Sequence, residues 1–250
     1  MERTLKRIKN SYMKAVTGSS RLTAFYKYLI VYPKIFQGKE LSPHERHDKA
    51  YMLTAYYKIL SSLNLPDISE LELSEYRRSK IRLCRTPHAK LLEYAAALTL
   101  KKGLSELGLK EEKMRYALTD SGKPFFPELP ELHFSISHSG DMAITVFSDK
   151  NVGIDCEHST RKIPENLLRR FFNDDEAAVY KDCPLKLWII KESLSKLSGE
   201  GLIKERKRMS IPGFDQSIIL NGIRIGIYNI SDYLVCVSSE SSEECRFISI

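Results

Sequence analysis

Two stretches of this sequence place acidic side chains on one face of a strand and on one face of a helix. Val152–Glu157 alternates in character, so a strand here turns Asp155 and Glu157 to one side and its apolar residues to the core. Leu185–Ser198 has the apolar spacing of a helix packed against a sheet. Brought together, the strand and the helix would place their polar residues around one point.

The helix also carries polar residues away from its apolar face. Trp188, Glu192 and Lys196 follow one another at four-residue spacing and therefore lie on one side. If they meet Asp155 and Glu157, three carboxylates need a cation, and oxygen ligands favour Mg²⁺ or Ca²⁺ over zinc. Taken singly, the strand also fits an edge strand with solvated acids, and Glu192–Lys196 fits an ordinary helix ion pair.

The remaining patterning predicts an α+β fold of helices packed on mostly antiparallel sheets, in two subdomains with a cleft between them. The predicted domains are a basic extension (1–48), an N-terminal lobe (49–148) and a C-terminal lobe (149–250). The other predicted elements are strands at Met52–Tyr57, Leu132–Ser137 and Met142–Ser148, helices at Pro66–Arg82, Leu91–Leu100 (ended by Gly103), Pro164–Phe172 and Asp174–Lys181, and a β-meander at Met209–Ile250.

Charge and cysteine content restrict the class of protein. The net charge of +7 lies mostly in the N-terminal extension, and the nearly neutral body disfavours a nucleic-acid-binding protein. The five cysteines form no C-x-x-C pair, which favours a reducing, cytoplasmic location and small buried cysteine side chains. The apolar segment Ala24–Lys34 is too short and interrupted to span a membrane, although the acid-poor start could also mimic an organelle transit peptide.

Several segments could bind a phosphate. Phe134–Gly140 reads as a strand entering a tight turn, where Ser135, Ser137 and His138 suit an anion; a hydrogen-bonded turn histidine is the alternative, and the G-x-S-x-G motif of serine hydrolases is absent. Lys123 lies in a Gly-Lys-Pro turn. A basic cluster could hold a phosphate or simply be a solvated helix face: Arg77, Arg78, Lys80, Arg82 and Arg85. His44–His47 lacks zinc-peptidase spacing and is expected at the surface.

The order of these motifs is more specific than any one of them. The chain runs through Gly122-Lys123-Pro124, then Ser135–Ser139, then Gly153–Glu157, then Trp188–Lys196. This series closely resembles the 4′-phosphopantetheinyl transferases, and most of all their monomeric, two-lobed type. The resemblance covers Met52 to the C-terminus and is strongest from Gly122 to Leu202. It implies two similar, pseudo-twofold-related lobes with the active site in the cleft between them.

The resemblance also implies an activity. Such enzymes use coenzyme A and Mg²⁺ to modify an apo acyl or peptidyl carrier protein of nonribosomal peptide, polyketide or fatty acid synthesis. A carrier serine attacks the β-phosphate, phosphopantetheine moves to the serine, and 3′,5′-ADP leaves. A non-catalytic coenzyme A or nucleotide binder on the same scaffold is the alternative.

By the resemblance, Asp155, Glu157 and Glu192 match magnesium ligands, and Glu192 also matches the general base. Lys196 matches a pyrophosphate contact, while Ser137, His138 and Lys123 match the nucleotide side. Lys90 takes the place of a family arginine. The further candidates for coenzyme A contacts are Arg78, Arg82 and Arg85. The resemblance also suggests that Arg161–Tyr180 docks the carrier, and the basic extension would steer an acidic carrier by charge.

Overall fold

The strands of the fold form two four-stranded sheets and one short ribbon. The computed structural model describes residues 53–60, 64–201 and 210–250, so the predictions for residues 1–52, including the basic extension and His44–His47, lie outside the described residues. In chain order the strands are β1 (Thr54–Ile59), β2 (Ala117–Leu118), β3 (Pro124–Phe125), β4 (His133–Ser139), β5 (Met142–Ser148), β6 (Val152–His158), β7 (Ser217–Leu220), β8 (Ile223–Ile230), β9 (Tyr233–Ser239) and β10 (Arg246–Ser249).

The helices begin at side-chain or proline caps and surround the sheets. Ser74 accepts the backbone N–H of Arg77 at the start of the first helix, and Asn173 forms a capping box with Glu176 at the fourth. Gly199 ends the last of the described helices with a left-handed backbone (φ 68°). The helices are α1 (Glu75–Leu83), α2 (Pro87–Glu106), α3 (Glu165–Phe171), α4 (Asp174–Val179) and α5 (Pro184–Ser198), with short 3-10 turns at Ile68–Glu70 and Glu111–Lys113.

The first sheet has the order β10-β1-β5-β4, and the second has the order β6-β9-β8-β7. Every pairing is antiparallel except that of β1 with β10, which is parallel and aligns Thr54 with Arg246. Strands β4 and β6 lie side by side where the two sheets meet, and serine hydroxyls join them. Ser135 Oγ accepts the N–H of Ile154 at 3.2 Å, and Ser137 Oγ accepts the N–H of Cys156 at 3.3 Å.

Helix α5 lies closely on β6 because residue 153 has no side chain. A Cβ at Gly153 would be 1.9 Å from the backbone oxygen of Ser193 and 2.5 Å from the nitrogen of Leu197. The predicted apolar stripe of this helix is confirmed, since Leu187, Ile190 and the other members, Leu194 and Leu197, are buried. The strand that carries Asp155 and the helix that carries Glu192 are thereby held in direct contact.

The α+β class with antiparallel sheets is confirmed, and several predicted boundaries are wrong. Gly103 does not end a helix: it lies inside α2, where a Cβ would meet the Phe147 ring at 2.0 Å. Pro66–Arg82 is not one helix, because extended residues separate the turn at Ile68–Glu70 from α1. The meander holds for β7–β9, whereas β10 leaves it to pair with β1.

The division between residues 148 and 149 and the pseudo-twofold relation of the lobes stay predictions. All five cysteines are free; Cys156, Cys236 and Cys245 are buried as expected, while Cys183 is exposed and Cys84 is partly so. Among the residues that the structure describes, no helix combines the length and the apolar character that crossing a membrane requires.

Candidate active site

A cavity of ≈ 420 Å³ lies where the two sheets meet. The second sheet and α5 form one wall, and α1, α2 and β4 form the other. Trp188, Glu192 and Lys196 of α5 all reach it, as their four-residue spacing predicted. The lining residues are Tyr76, Arg77, Lys80, Glu93, Gly122, Pro124, Ile136, Ser137, His138, Asp155, Glu157, Arg161, Trp188, Glu192 and Lys196.

Asp155 is the centre of the hydrogen bonding on the α5 side. Its Oδ1 accepts from Lys196 Nζ at 2.7 Å and from Ser137 Oγ at 2.8 Å, and Lys196 Nζ is 2.9 Å from the same hydroxyl. The carboxylate is 5% exposed, yet its Oδ2 has no hydrogen-bond partner in the described structure. A buried carboxylate oxygen without a donor is costly, so this atom is available to a ligand.

Glu157 and Glu192 differ in their partners. Glu157 pairs with Arg161 and accepts a hydrogen bond from Ser139, and the Arg161 guanidinium lies 5.7 Å from the centre of the Trp188 ring. Glu192 is half-buried. Burial, followed by the charge of Asp155, raises the pKa of Glu192 above its ordinary value, although Lys196 and Arg161 act in the opposite direction.

The acidic residues fit a hard divalent cation by their chemistry. All three offer carboxylate oxygens to one cavity, and Asp155 Oδ2 is buried without a donor. Their convergence on one point is not seen, because no set of three acidic, histidine or cysteine side chains in the described ranges is close enough to share an ion. The protein's own cations, Lys196 and Arg161, pair with Asp155 and Glu157 instead.

The opposite wall is built around Glu93 of α2. Glu93 Oε2 lies 3.1 Å from an Arg77 guanidinium nitrogen, and Oε1 lies 3.5 Å from His138 Nε2. Burial alone would raise the pKa of Glu93, but the hydrogen bond from His138 and the charge of Arg77 outweigh it and lower the pKa. Arg77 is buried, and its Nε has no hydrogen-bond partner in the described structure.

The basic residues that the sequence predicted to contact coenzyme A lie in different parts of the structure. Arg78 and Arg82 both pair with Glu75, at 3.1 Å and 2.5 Å, on the outer side of α1. Within the described residues, neither they nor Arg85 and Lys90 line the cavity. Their contacts with coenzyme A stay predictions, but the α1 cations that do reach the wall are Arg77 and Lys80.

Lys123 is turned toward the junction of β6 and α5. Its Nζ donates to the backbone oxygens of Val152 and Leu197, each at 3.1 Å. Burial lowers the pKa of this ammonium to about 8. The lysine therefore joins the strand to the last turn of the helix, and its predicted nucleotide contact stays a prediction.

Lys191, for which the sequence indicated no ligand contact, is buried beneath the site. Its Nζ lies 2.6 Å from Glu176 Oε1, and both side chains are almost completely buried. Glu176 also accepts the backbone N–H groups of Asn173 and Ile211. This ion pair fixes α5 relative to α4 and to the segment beginning at residue 210.

Sequence reasoning missed Tyr76, Glu93 and Arg161, and it did not separate Arg77 and Lys80 from the rest of the basic cluster. One signal was available for Arg77. Ile81, an apolar residue four positions further on in α1, is buried, and Arg77 shares its inward face while Arg78 and Arg82 do not. No local pattern marked Glu93 or Arg161.

Comparison with known proteins identifies the region around β6 and α5. Residues 151–238 match the family described as the 4′-phosphopantetheinyl transferase superfamily. The 4′-phosphopantetheinyl transferase Sfp of Bacillus subtilis (strain 168) is 37% identical over 105 residues, which cover 38% of this chain and 45% of that protein. The 4′-phosphopantetheinyl transferase psf-1 of Bacillus pumilus is 33% identical over 102 residues, covering 38% of this chain and 43% of that protein.

The 4′-phosphopantetheinyl transferase gsp of Aneurinibacillus migulanus is 30% identical over 114 residues, which cover 42% of this chain and 47% of that protein. The chain thus spans about half the length of the curated relatives that it matches. The matched residues include β6, α5 and the acids Asp155, Glu157 and Glu192. Through residues 151–238, this chain is similar in sequence to the 4′-phosphopantetheinyl transferase superfamily.

Proposed function

We propose that this protein transfers 4′-phosphopantetheine from coenzyme A to a serine of an apo acyl or peptidyl carrier protein and releases 3′,5′-ADP. The observation that carries the proposal is the meeting of Asp155, Glu192 and Lys196 with Ser137 and His138 in one cavity. The first three lie within the matched residues, and the last two come from the opposite sheet. The cavity therefore offers acids at one side and cations at the other.

The acid side suits the reacting diphosphate. Lys196 is fixed by Asp155 and Ser137, so its ammonium is placed before any substrate arrives and can bind an oxygen of the diphosphate. Glu192 lies beside it in the same cavity and is the carboxylate that would take the proton of the carrier serine, directly or through a water molecule. The bond between the β-phosphorus and the nucleotide phosphate then breaks as the serine oxygen bonds to phosphorus.

We propose that Asp155, Glu157 and Glu192 hold Mg²⁺. The ion would supply positive charge to the diphosphate oxygens as the bond breaks. The support is the all-carboxylate donor set and the unpartnered Oδ2 of Asp155. Arg161, which is tied to Glu157 and lies over Trp188, would have to release Glu157 for it to act as a ligand.

The cation side suits the nucleotide end of coenzyme A. His138 is exposed on the cavity wall, and Arg77 and Lys80 lie on the same wall. These groups can donate to phosphate oxygens. Ser137 also lines the cavity, but its hydroxyl is engaged with Asp155 and with the N–H of Cys156, so its direct effect is to hold Asp155.

The proposed carrier surface is the segment from Arg161 to Tyr180. Its Leu167, Leu168, Phe171 and Phe172 pack on the core of the second sheet and are not free to dock a partner. The exposed groups there include the basic Arg169 and Arg170 on α3, the acidic Glu165, Asp174 and Asp175, and the apolar Val179 at the end of α4. Within this segment, Arg169 and Arg170 are the groups that could attract an acidic carrier. A monomeric, cytoplasmic enzyme is part of the same proposal.

Transfer is tested by incubating the protein with coenzyme A, Mg²⁺ and a panel of apo acyl and peptidyl carriers, followed by intact mass measurement. We expect a carrier to gain one phosphopantetheine group. Asp155→Ala should abolish the gain, while Asp149→Asn, which changes an aspartate next to Lys150 outside the cavity, should keep it. Coenzyme A binding by calorimetry without mass gain on any carrier would instead support the non-catalytic binder.

A further inference from the structure

The cation side of the cavity contains a carboxylate that the proposed reaction does not use. Glu93 projects from α2 between Arg77 and His138. Its side chain is 19% exposed, and that of Arg77 is 5% exposed. A phosphate at the nucleotide end of the donor would have to bind where the Glu93 carboxylate lies.

Glu93 occupies the donors that such a phosphate needs. An Arg77 guanidinium nitrogen bonds both the Glu93 carboxylate at 3.1 Å and the Glu93 backbone oxygen at 3.3 Å. His138 Nε2 lies 3.5 Å from the other carboxylate oxygen. A phosphate that bound Arg77 and His138 would have to displace the carboxylate or accept its charge at close range, and like charges in a partly buried site repel strongly.

The net charge of this wall also disfavours the binding of a phosphate there. Arg77 and Lys80 bring two positive charges, and Glu93 cancels one of them. Burial would raise the pKa of Glu93, but the hydrogen bond from His138 and the charge of Arg77 hold that pKa below its ordinary value. The exposed Lys80 and the unpartnered Nε of Arg77 remain for a ligand. The wall thus offers a single net positive charge to the nucleotide end, apart from that of a protonated His138.

We infer that Glu93 is a specificity-determining residue that reduces recognition of the 3′-phosphate, so that the protein accepts donors without that phosphate, such as dephospho-coenzyme A, nearly as well as coenzyme A. The inference rests on the proposed function. It concerns only the end of the donor that does not react, since Glu93 lies on the wall opposite the α5 residues that face the diphosphate.

The test compares 3′,5′-ADP with 5′-AMP as ligands by calorimetry, in the wild-type protein and in Glu93→Gln. We expect wild-type protein to bind 3′,5′-ADP less than tenfold more tightly than 5′-AMP. Glu93→Gln should tighten 3′,5′-ADP binding by about tenfold and leave 5′-AMP binding unchanged, because Gln keeps the size of the side chain and removes its charge. The control Glu72→Gln removes a carboxylate that pairs with Lys101 outside the cavity and should change neither affinity.

The matching kinetic test uses coenzyme A and dephospho-coenzyme A with an apo carrier. Glu93→Gln should raise the ratio of kcat/KM for coenzyme A over dephospho-coenzyme A by about tenfold. Weaker 3′,5′-ADP binding in the variant would overturn the inference and show that Glu93 orients Arg77 and His138 for the phosphate. A wild-type preference above a hundredfold for 3′,5′-ADP would overturn it without any variant.

The two proposals fail in different ways. Nucleotide binding that responds to Glu93→Gln as expected, without transfer from either donor, would reject the transferase activity and keep the specificity inference. Transfer from coenzyme A alone, with unchanged affinities in Glu93→Gln, would reject the specificity inference and keep the transferase.

Discussion

The two walls of the cavity differ in how directly the sequence encodes them. On the wall of β6 and α5, Asp155 and Glu157 follow the spacing of a strand, and Trp188, Glu192 and Lys196 follow the spacing of a helix. All five reach the cavity. On the wall of α1, α2 and β4, the charged residues come from separate elements. Glu93 forms an ion pair with Arg77 and lies 3.5 Å from His138 Nε2. Under the proposed function, the first wall would bind the reacting diphosphate, and the second would bind the rest of the donor.

The difference can be tested first at the wall of α5. Glu192→Gln should lower kcat by about 10³-fold, because it removes both a proton acceptor and a proposed metal ligand. Coenzyme A affinity should change only a few-fold, since the contacts of the nucleotide end remain. Single-turnover transfer and calorimetry would measure the two effects. Turnover close to that of the wild type would show that the role assigned to Glu192 is wrong.

At the opposite wall, we expect substitutions to change the binding of coenzyme A. His138→Ala should raise the KM for coenzyme A by about tenfold with little change in kcat, because it removes a donor from the nucleotide side and exposes the charge of Glu93. Steady-state kinetics with a single carrier would separate the two constants. A loss of kcat with unchanged KM would contradict the division between the walls.

Arg77 and Arg78, which are neighbours in α1, provide a test variant and a matched control for the same wall. Arg77→Met should raise the KM for coenzyme A by roughly fivefold to tenfold, because Glu93 loses its counter-charge and faces the donor. Arg78→Met removes the same charge from the side of α1 that pairs with Glu75 and should change KM by less than about twofold. Thermal melting of both variants controls for misfolding, and equal KM values would contradict the placement of Arg77.

The junction of β6 with α5 should show a pH dependence through Lys123. The pKa of this lysine is lowered from 10.5 to about 8, so between these values the unfolded chain binds more protons than the folded one. The contribution of Lys123 to stability therefore rises with pH across this range. Urea unfolding of the wild type and of Lys123→Met from pH 7 to 10.5 should show this rise in the wild type only. If the stability of the two proteins changed with pH in the same way, the proposed contribution of Lys123 would be wrong.

The smallest expected effect concerns the basic extension. Deleting residues 1–40 should slow association with an acidic carrier by a few-fold at low salt and hardly at all at high salt, because screening removes long-range attraction. Stopped-flow association at two ionic strengths would measure it. An unchanged rate in both conditions would remove any steering by the basic extension.

The same contrast between the two walls explains which features of the fold and of the site can be predicted from the sequence. Strands β4, β5 and β6 and helix α5 are predicted well, because two-residue and 3.6-residue periodicities determine which side chains are buried. The sequence does not distinguish Arg78 and Arg82 from Arg77, whereas the direction of α1 places the first two beside Glu75; their contacts with coenzyme A stay predictions. Gly103 looks like a helix end, yet the Phe147 ring requires a residue without a side chain there. Such contacts depend on tertiary packing, which local patterns do not contain.

The parallel pairing of β1 with β10 has a consequence for folding. Thr54 aligns with Arg246, so one edge of the first sheet is completed by residues that leave the ribosome long after the rest of that sheet. Closing so long a loop is entropically costly, and contacts of this kind slow folding. Until β10 arrives, that edge of β1 presents unpaired backbone groups, which makes the nascent protein prone to aggregate at this strand.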